Sequence, residues 1–260
     1  MDDDAARAAI ERDERTPAEA VMAKLLLGRR HDWNPDVAMR YLPIVRLIRS
    51  RGMRDHVTDV GSGPAGIAPY LRAPITGVDT SFLPAPHPLL TPVDASVVET
   101  PFDDRSRPCV ISVDMLEHMP AEVRPGAIAE LVRIAGRLLV VAVPCGPAAE
   151  EHDRAVAALF REVRGVDYRY LLEHLEYGLP RADDLRAAID AAMRQWDRRG
   201  NVTLVPNANL RVRTWVVNRW IRRRLPDKVA WVALTWLSSA LARANGTPAY
   251  RQIAVVEFDD

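Results

Sequence analysis

HVTDVGSGPAGIAPYLR, residues 56–72, is a short apolar run followed by Gly61-x-Gly63-x-x-Gly66. Glycine has no Cβ and tolerates positive φ, so a chain turning there can bring its backbone close to a ligand at a helix N-terminus. Tight strand-to-helix turns use the same residues without a ligand, so the glycines alone do not decide. The residue two before Gly61 is more informative. Dinucleotide sites usually keep an apolar residue there, beside the anionic pyrophosphate. Here it is Asp59. A carboxylate at a strand's carboxyl end repels pyrophosphate and suits a cation such as an α-ammonium.

The segments on either side extend this reading. ITGVDTS (75–81) ends a second apolar run at Asp79, eighteen positions beyond Gly61. An acidic residue there can accept both hydroxyls of a ribose. In PVDASVVETPFDD (92–104), Asp94 follows a short third strand, and a carboxylate with an adjacent backbone N–H can read an adenine edge. The ligand then has a ribose, a base and an ammonium. HVTDV, ITGV, CVISV (109–113) and RLLVVAV (137–143) are short, rich in Val and Ile, and lack clean polar alternation. That is the pattern of parallel strands covered on both faces. A helical pattern over 121–136 lies between the last two, and strand–helix alternation predicts a doubly wound α/β sheet. NVTLVPN (201–207) and YRQIAVVEF (250–258) return as strands.

Residues 5–15 and 17–30 read as helices, the second opened by Thr16-Pro17-Ala18-Glu19. Another starts at Asn34-Pro35-Asp36, with Pro43 expected to kink it and Gly52 to end it. The expected organisation is a helical cap over 1–55 and a main domain over 56–260. That domain carries a helical insertion over 146–200 and a Trp/Arg-rich helical segment over 208–247.

The chain has 260 residues, enough for one large domain with a sizeable core. Formal net charge is zero, so no basic excess exists to meet a phosphate backbone, and nucleic acid is not expected as a partner. The two cysteines, Cys109 and Cys145, sit beside strand-like runs and imply reduced thiols and a cytoplasmic setting. The acidic start lacks a signal-peptide core. The segment over 209–245 holds Trp215, Trp220, Trp231 and Trp236 among arginines. It fits packing onto the sheet, a dimer face or a peripheral membrane contact; monomer and homodimer both stay open.

VTDVGSGPAGIAPYL, ITGVDTS, VDASVVETPFDD and VISVDMLEHMP together resemble successive motifs of the class I S-adenosylmethionine-dependent methyltransferases, in particular the small-molecule, quinone-biosynthesis type. The resemblance covers roughly residues 55–145. It implies a seven-stranded, mostly parallel Rossmann-like sheet with the last strand antiparallel, and S-adenosylmethionine as cofactor. It also implies that Asp59, Gly61, Ser62 and Gly63 hold the methionine part. Asp79 and Thr80 would meet the ribose, and Asp94 and Ala95 the adenine edge. Ser112, Val113 and Asp114 would lie beside the sulfonium. Two features depart from the family: Gly66 comes one position later than the usual third glycine, and TSFLPAPHPLL is too proline-rich for a full helix after Asp79.

The expected reaction is methyl transfer to a small-molecule acceptor, at a hydroxyl oxygen of a metabolite, glycan or lipid-linked compound. Such a displacement needs positioning and, for a hydroxyl, a base within hydrogen-bond reach. Three Glu-His pairs occur: Glu117-His118, Glu151-His152 and Glu173-His174. His118 follows strand four at the sheet edge where open α/β folds bind ligands. His174 shares a helix face with Tyr177 in YLLEHLEYGLP. These two histidines are the catalytic candidates. No HxxxH or Cys-His spacing occurs, and no metal is expected. An NAD-dependent oxidoreductase and a non-catalytic nucleoside-binding protein of the same fold are the alternatives.

Overall fold

The computed structural model describes residues 22, 24–30, 33–222 and 224–259. The helix expected over 5–15 and the Thr16-Pro17-Ala18-Glu19 start lie outside the described residues. Seven strands form one sheet in the order β3-β2-β1-β4-β5-β7-β6. They are β1 (Val57–Val60), β2 (Ile75–Asp79), β3 (Leu90–Asp94), β4 (Arg107–Val113), β5 (Ala135–Pro144), β6 (Gly200–Asn209) and β7 (Ala249–Phe258). The pairs among β1 to β5 are parallel, and β7 runs antiparallel to both β5 and β6.

The missing polar alternation of the central strands has a visible cause. Along β5, Leu138, Val140 and Ala142 join one core, while Leu139, Val141 and Val143 join another on the opposite face. Successive side chains of a strand point to opposite faces, so a sheet covered on both sides needs apolar residues at every position. The first core is closed by α1 (Pro35–Ser50) and the one-turn α2 (Ala68–Leu71). The second is closed by α3 (Arg124–Ile134) and α6 (Ala182–Gln195).

Helix α1 is opened by the Asn34 side chain, which accepts from the N–H groups of Asp36 and Val37 at 2.9 and 3.4 Å. It continues through Pro43, and Gly52 follows its end at φ +67°. Residues 80–89, the proline-rich stretch, contain no helix.

Of the four other long helices, three help to wall the carboxyl edge of the parallel strands and the fourth packs on α1. α4 (Pro147–Arg164) and α5 (Arg169–Tyr177) follow β5, whereas α7 (Leu210–Arg222) and α8 (Leu225–Leu241) join β6 to β7. The tryptophans divide. Trp220 stacks near Phe160 and Tyr168 with ring centroids 5.6 Å apart, while Trp231 packs on a core of α7, α8 and β7 residues. Trp215 and Trp236 are about half exposed, with Arg219 and Arg30 guanidiniums over their rings. Among the described residues, no helix is long and apolar enough to cross a membrane.

Candidate functional site

The loops that follow β1 to β4 open into one cavity of about 660 Å³. This is the carboxyl edge of the parallel strands, where open α/β sheets bind ligands. Gly61 to Pro64 line it after β1, Asp79 to Ser81 after β2, Ala95 to Val97 after β3, and Val113 to Met115 after β4. Helices α1, α4, α5 and α7 wall the other side.

The glycine loop is held from below. Gly61 and Ser62 N–H both donate to Val78 O, at 2.8 and 3.2 Å. Gly61 has φ +78°, and a Cβ there would lie 2.3 Å from Met115 Cγ, so the post-β4 turn requires this glycine. Gly63, at φ +56° on the cavity wall, would carry a Cβ with no atom within 4 Å. The loop therefore leaves open space where a ligand's backbone-side contacts would be made. The helix after it is a single turn, and the Gly61, Ser62 and Gly63 amides are taken up by Val78 O and Asp79.

The expected cofactor residues separate into two groups. Gly61, Ser62, Gly63, Asp79, Thr80, Ala95, Val113 and Asp114 line the cavity. Asp59, Asp94 and Ser112 do not. Asp59 is 1% exposed beneath the glycine loop, and its Oδ2 accepts Ile67 N–H at 2.8 Å. A Cβ on Gly66 would fall 2.4 Å from that oxygen, so the late third glycine makes room for Asp59. Asp94 ends β3 exposed, and the Ala95 N–H donates to Asp79 O at 3.2 Å. Asp79 accepts from Gly63 N–H at 2.8 Å and Ser81 N–H at 3.2 Å. Each carboxylate oxygen keeps a second lone pair for a ligand hydroxyl. Asp114, expected beside the sulfonium, has its carboxylate engaged by Arg251 on both oxygens and by Arg40.

Burial pushes the Asp59 carboxyl up to about 7; the Ile67 N–H bond opposes the shift and Asp79 adds to it. The folded value lies above the ordinary 3.8, so the folded state binds more protons than the unfolded state between those values. This contribution to stability is therefore largest below about pH 4 and is lost as pH rises towards 7. Asp59→Asn is expected to remove a fall of about 2–4 kcal/mol over that window. Urea unfolding of both proteins at pH 4.5 and 7.5 checks this, and parallel pH dependences would show Asp59 ionised throughout.

Opposite the glycine loop lies a polar end. Glu117 and His118 stand on a one-turn 3₁₀ helix (Leu116–His118), and His174 stands on α5. His118 Nδ1 meets Glu173 Oε2 at 2.8 Å, and His174 Nδ1 meets Asp153 Oδ2 at 2.8 Å. The two Nε2 atoms face each other at 3.5 Å. Tyr250 OH donates to both Asp153 oxygens, at 2.9 and 3.0 Å, which fixes that carboxylate. Glu117 is fully buried, and neither of its oxygens has a hydrogen-bond partner. Burial, reinforced by Asp114, pushes its carboxyl up. Burial works against a charged His118, but Glu173 and Glu117 outweigh it and raise its pKa.

Two of the three Glu-His pairs thus converge. The third does not: His152 lies behind α7, where it meets Arg213 and Thr214, and burial lowers it to about 4. Tyr177 does not line the cavity, although its helix neighbour His174 does. Sequence reasoning missed Asp153 and Glu173 as partners of the histidines, and missed α1, which contributes Asp36, Arg40 and Tyr41 to the wall.

No family model matches the sequence, and no curated protein matches it. Solved structures do resemble it. The phosphoethanolamine N-methyltransferase 2 of Haemonchus contortus in complex with S-adenosyl-L-methionine superposes with a TM-score of 0.51 at 13% identity, over 95% of this chain and 58% of its own. The complex with phosphomonomethylethanolamine and S-adenosylhomocysteine gives 0.50 at 15% identity, over 96% and 59%. The present chain spans somewhat over half the length of that protein. The 1,6-didemethyltoxoflavin-N1-methyltransferase of Burkholderia thailandensis gives 0.48 at 14% identity, over 95% and 92%. With the strand order above, the first two establish that the chain has the Rossmann-like fold of the S-adenosylmethionine-dependent methyltransferases.

Proposed function

We propose that this chain transfers a methyl group from S-adenosylmethionine to a hydroxyl oxygen of a small molecule. The observation that carries the reading is the continuity of one cavity. The glycine loop and Asp79 lie at one end, and a carboxylate-backed histidine pair lies at the other. Two fold neighbours were solved with S-adenosylmethionine or its product, which supports the choice of cofactor.

The residues present fit the cofactor. Gly63 leaves the open space that a close backbone approach needs, and Asp79 offers lone pairs for a ribose diol. Thr80 and Val113 flank them on the same wall. When bound, the cofactor supplies a methyl group on a sulfonium, open to in-line displacement. The chain's own part is to orient the acceptor and take its proton. Glu173 and Asp153 accept the Nδ1–H of His118 and His174, so a neutral ring keeps its lone pair on Nε2. Both rings line the cavity where an acceptor hydroxyl would enter. Tyr168, Trp220 and Val217 give that end the apolar wall usual in small-molecule pockets.

Calorimetry with S-adenosylhomocysteine and with NAD tests the cofactor, and methyl-transfer assays on a panel of hydroxylated acceptors test the reaction. Binding of NAD without S-adenosylhomocysteine would replace this reading with a redox one. Asp79→Ala is expected to weaken S-adenosylhomocysteine by about 2–4 kcal/mol, through loss of hydrogen bonds to a charged acceptor. Unchanged affinity in that variant would take Asp79 out of the site.

A further inference from the structure

Two features of the cavity's polar end set it apart: a close pair of imidazole nitrogens and a buried carboxyl without a partner. The Nε2 atoms of His118 and His174 are 3.5 Å apart. Both rings direct Nδ1 at a carboxylate, which leaves the two Nε2 atoms to each other at the cavity's end. Glu117 is 0% exposed, its two oxygens have no donor, and Oε1 lies 3.9 Å from His174 Nε2. A buried carboxyl group without a hydrogen bond costs stability. A cation between the three groups would bind both Nε2 atoms and give Glu117 the partner it lacks.

We propose that Glu117, His118 and His174 bind one divalent transition-metal ion at the acceptor end of the cavity. The three donor groups lie within 4.8 Å of one another. Nitrogens bound at about 2.0–2.1 Å to a tetrahedral ion are about 3.4 Å apart, close to the observed His–His distance. Two donors on one ion span at most about 4.2 Å, so Glu117 closes the site by a small rotamer change. Glu173 and Asp153 supply the Nδ1 carboxylate contacts that metal-bound histidines ordinarily have. Asp114 is excluded from the ligand set because Arg251 and Arg40 hold it. Two imidazoles and one carboxylate, with the remaining positions open to the cavity, suit first-row ions over magnesium or calcium, which favour all-oxygen sites.

The consequence for catalysis rests on the methyl-transfer reading: an ion here would bind the acceptor hydroxyl and lower its pKa. The binding itself does not rest on that reading, and its test uses no turnover. Full-length protein stripped with EDTA would be titrated with Co²⁺, following visible d–d absorption and calorimetry. One ion per chain is expected, with His118→Ala and His174→Ala each weakening binding by about 10²-fold or more. Glu173→Gln and Asp153→Asn are expected to weaken it by roughly 10–100-fold as positioning residues.

Glu117→Gln gives a second, stability-based readout. Without metal it should melt no lower than wild type, since the carboxyl it replaces has no hydrogen bond to lose, and it should lose the rise in melting temperature that Co²⁺ gives wild type. The proposal is overturned by three outcomes: no absorption band in wild type, wild-type affinity in both histidine variants, or loss of binding on replacing His56 and His87 instead. If the histidine variants do not fold, wild-type stoichiometry and Glu117→Gln decide. Metal binding without methyl transfer would overturn only the functional reading, and methyl transfer unaffected by EDTA and without any Co²⁺ band would overturn only the metal site.

Discussion

Arg251→Met is expected to lower folding stability by about 3–5 kcal/mol, the usual effect of leaving one partner of a buried ion pair alone. Arg251 is 2% exposed on β7 and donates to both oxygens of Asp114, at the end of β4. The two strands are not neighbours, because β5 lies between them. The pair therefore ties the parallel half of the sheet to the antiparallel strand across its carboxyl edge. Arg251 also donates to Asn207 Oδ1 at 3.1 Å, and Asn207 in turn donates to Met39 O on α1 and to Asn245. Burial opposes ionisation of Asp114, but Arg251 and Arg40 more than reverse this and hold its carboxyl well below the usual range. Its stabilising contribution is therefore present above the ordinary carboxylate range and is lost as pH falls below it. In Arg251→Met, Arg40 remains beside the carboxylate at 3.0 Å. Adding Asp114→Asn should recover part of the loss, since the uncompensated charge goes with it. Urea unfolding at pH 7 measures both. A single variant within about 1 kcal/mol of wild type would mean that Arg40 and water suffice for Asp114.

The strands were legible because their signal is local. Short runs of 4 to 7 residues, rich in Val and Ile and without clean polar alternation, reported a sheet buried on both faces, and β5 shows that face by face. The glycine loop was legible for its position and less so for its reasons. Gly61 was expected to clear space for a ligand, yet its Cβ would strike Met115, on a turn 54 positions later. Asp59 carried the signal against a dinucleotide, yet it lies under the loop, holding Ile67 N–H. Neither fact can be read from spacing, because both depend on which side chain a distant segment delivers.

The same limit governs the polar end. His118 and His174 stood out because each follows a glutamate, but their partners follow no common pattern. His118 pairs with Glu173, the neighbour of the other histidine, and His174 pairs with Asp153, 21 positions upstream on α4. The expectation of no metal came from short-range motifs such as HxxxH. Here two candidate ligands come from the turn after β4 and the third from α5, 56 positions on. Long-range convergence of this kind leaves no periodic trace in a sequence.

His118→Ala and His174→Ala are each expected to reduce methyl-transfer turnover by about 10²-fold or more, with affinity for S-adenosylhomocysteine unchanged. The separation follows from the cavity. The glycine loop and Asp79 follow β1 and β2, whereas the histidines belong to the 3₁₀ turn beyond β4 and to α5. Removing an imidazole there should leave the glycine loop and its bonds to Val78 and Asp79 as they are. Single-turnover rates and calorimetry on the same variants give the two quantities. Glu173→Gln and Asp153→Asn should lose less, about 10-fold, because each leaves its imidazole in place with a weaker anchor. If both alanine variants keep full turnover from pH 6 to 9, neither histidine takes the proton, and the reaction rests on proximity or on an acceptor already ionised. EDTA then separates the two ways in which a histidine could matter. A base acts through its own lone pair, so wild type would keep its rate in the chelator. A metal ligand acts through the ion, so wild type would fall to the level of the alanine variants and recover on adding Co²⁺ or Mn²⁺, while the variants would not.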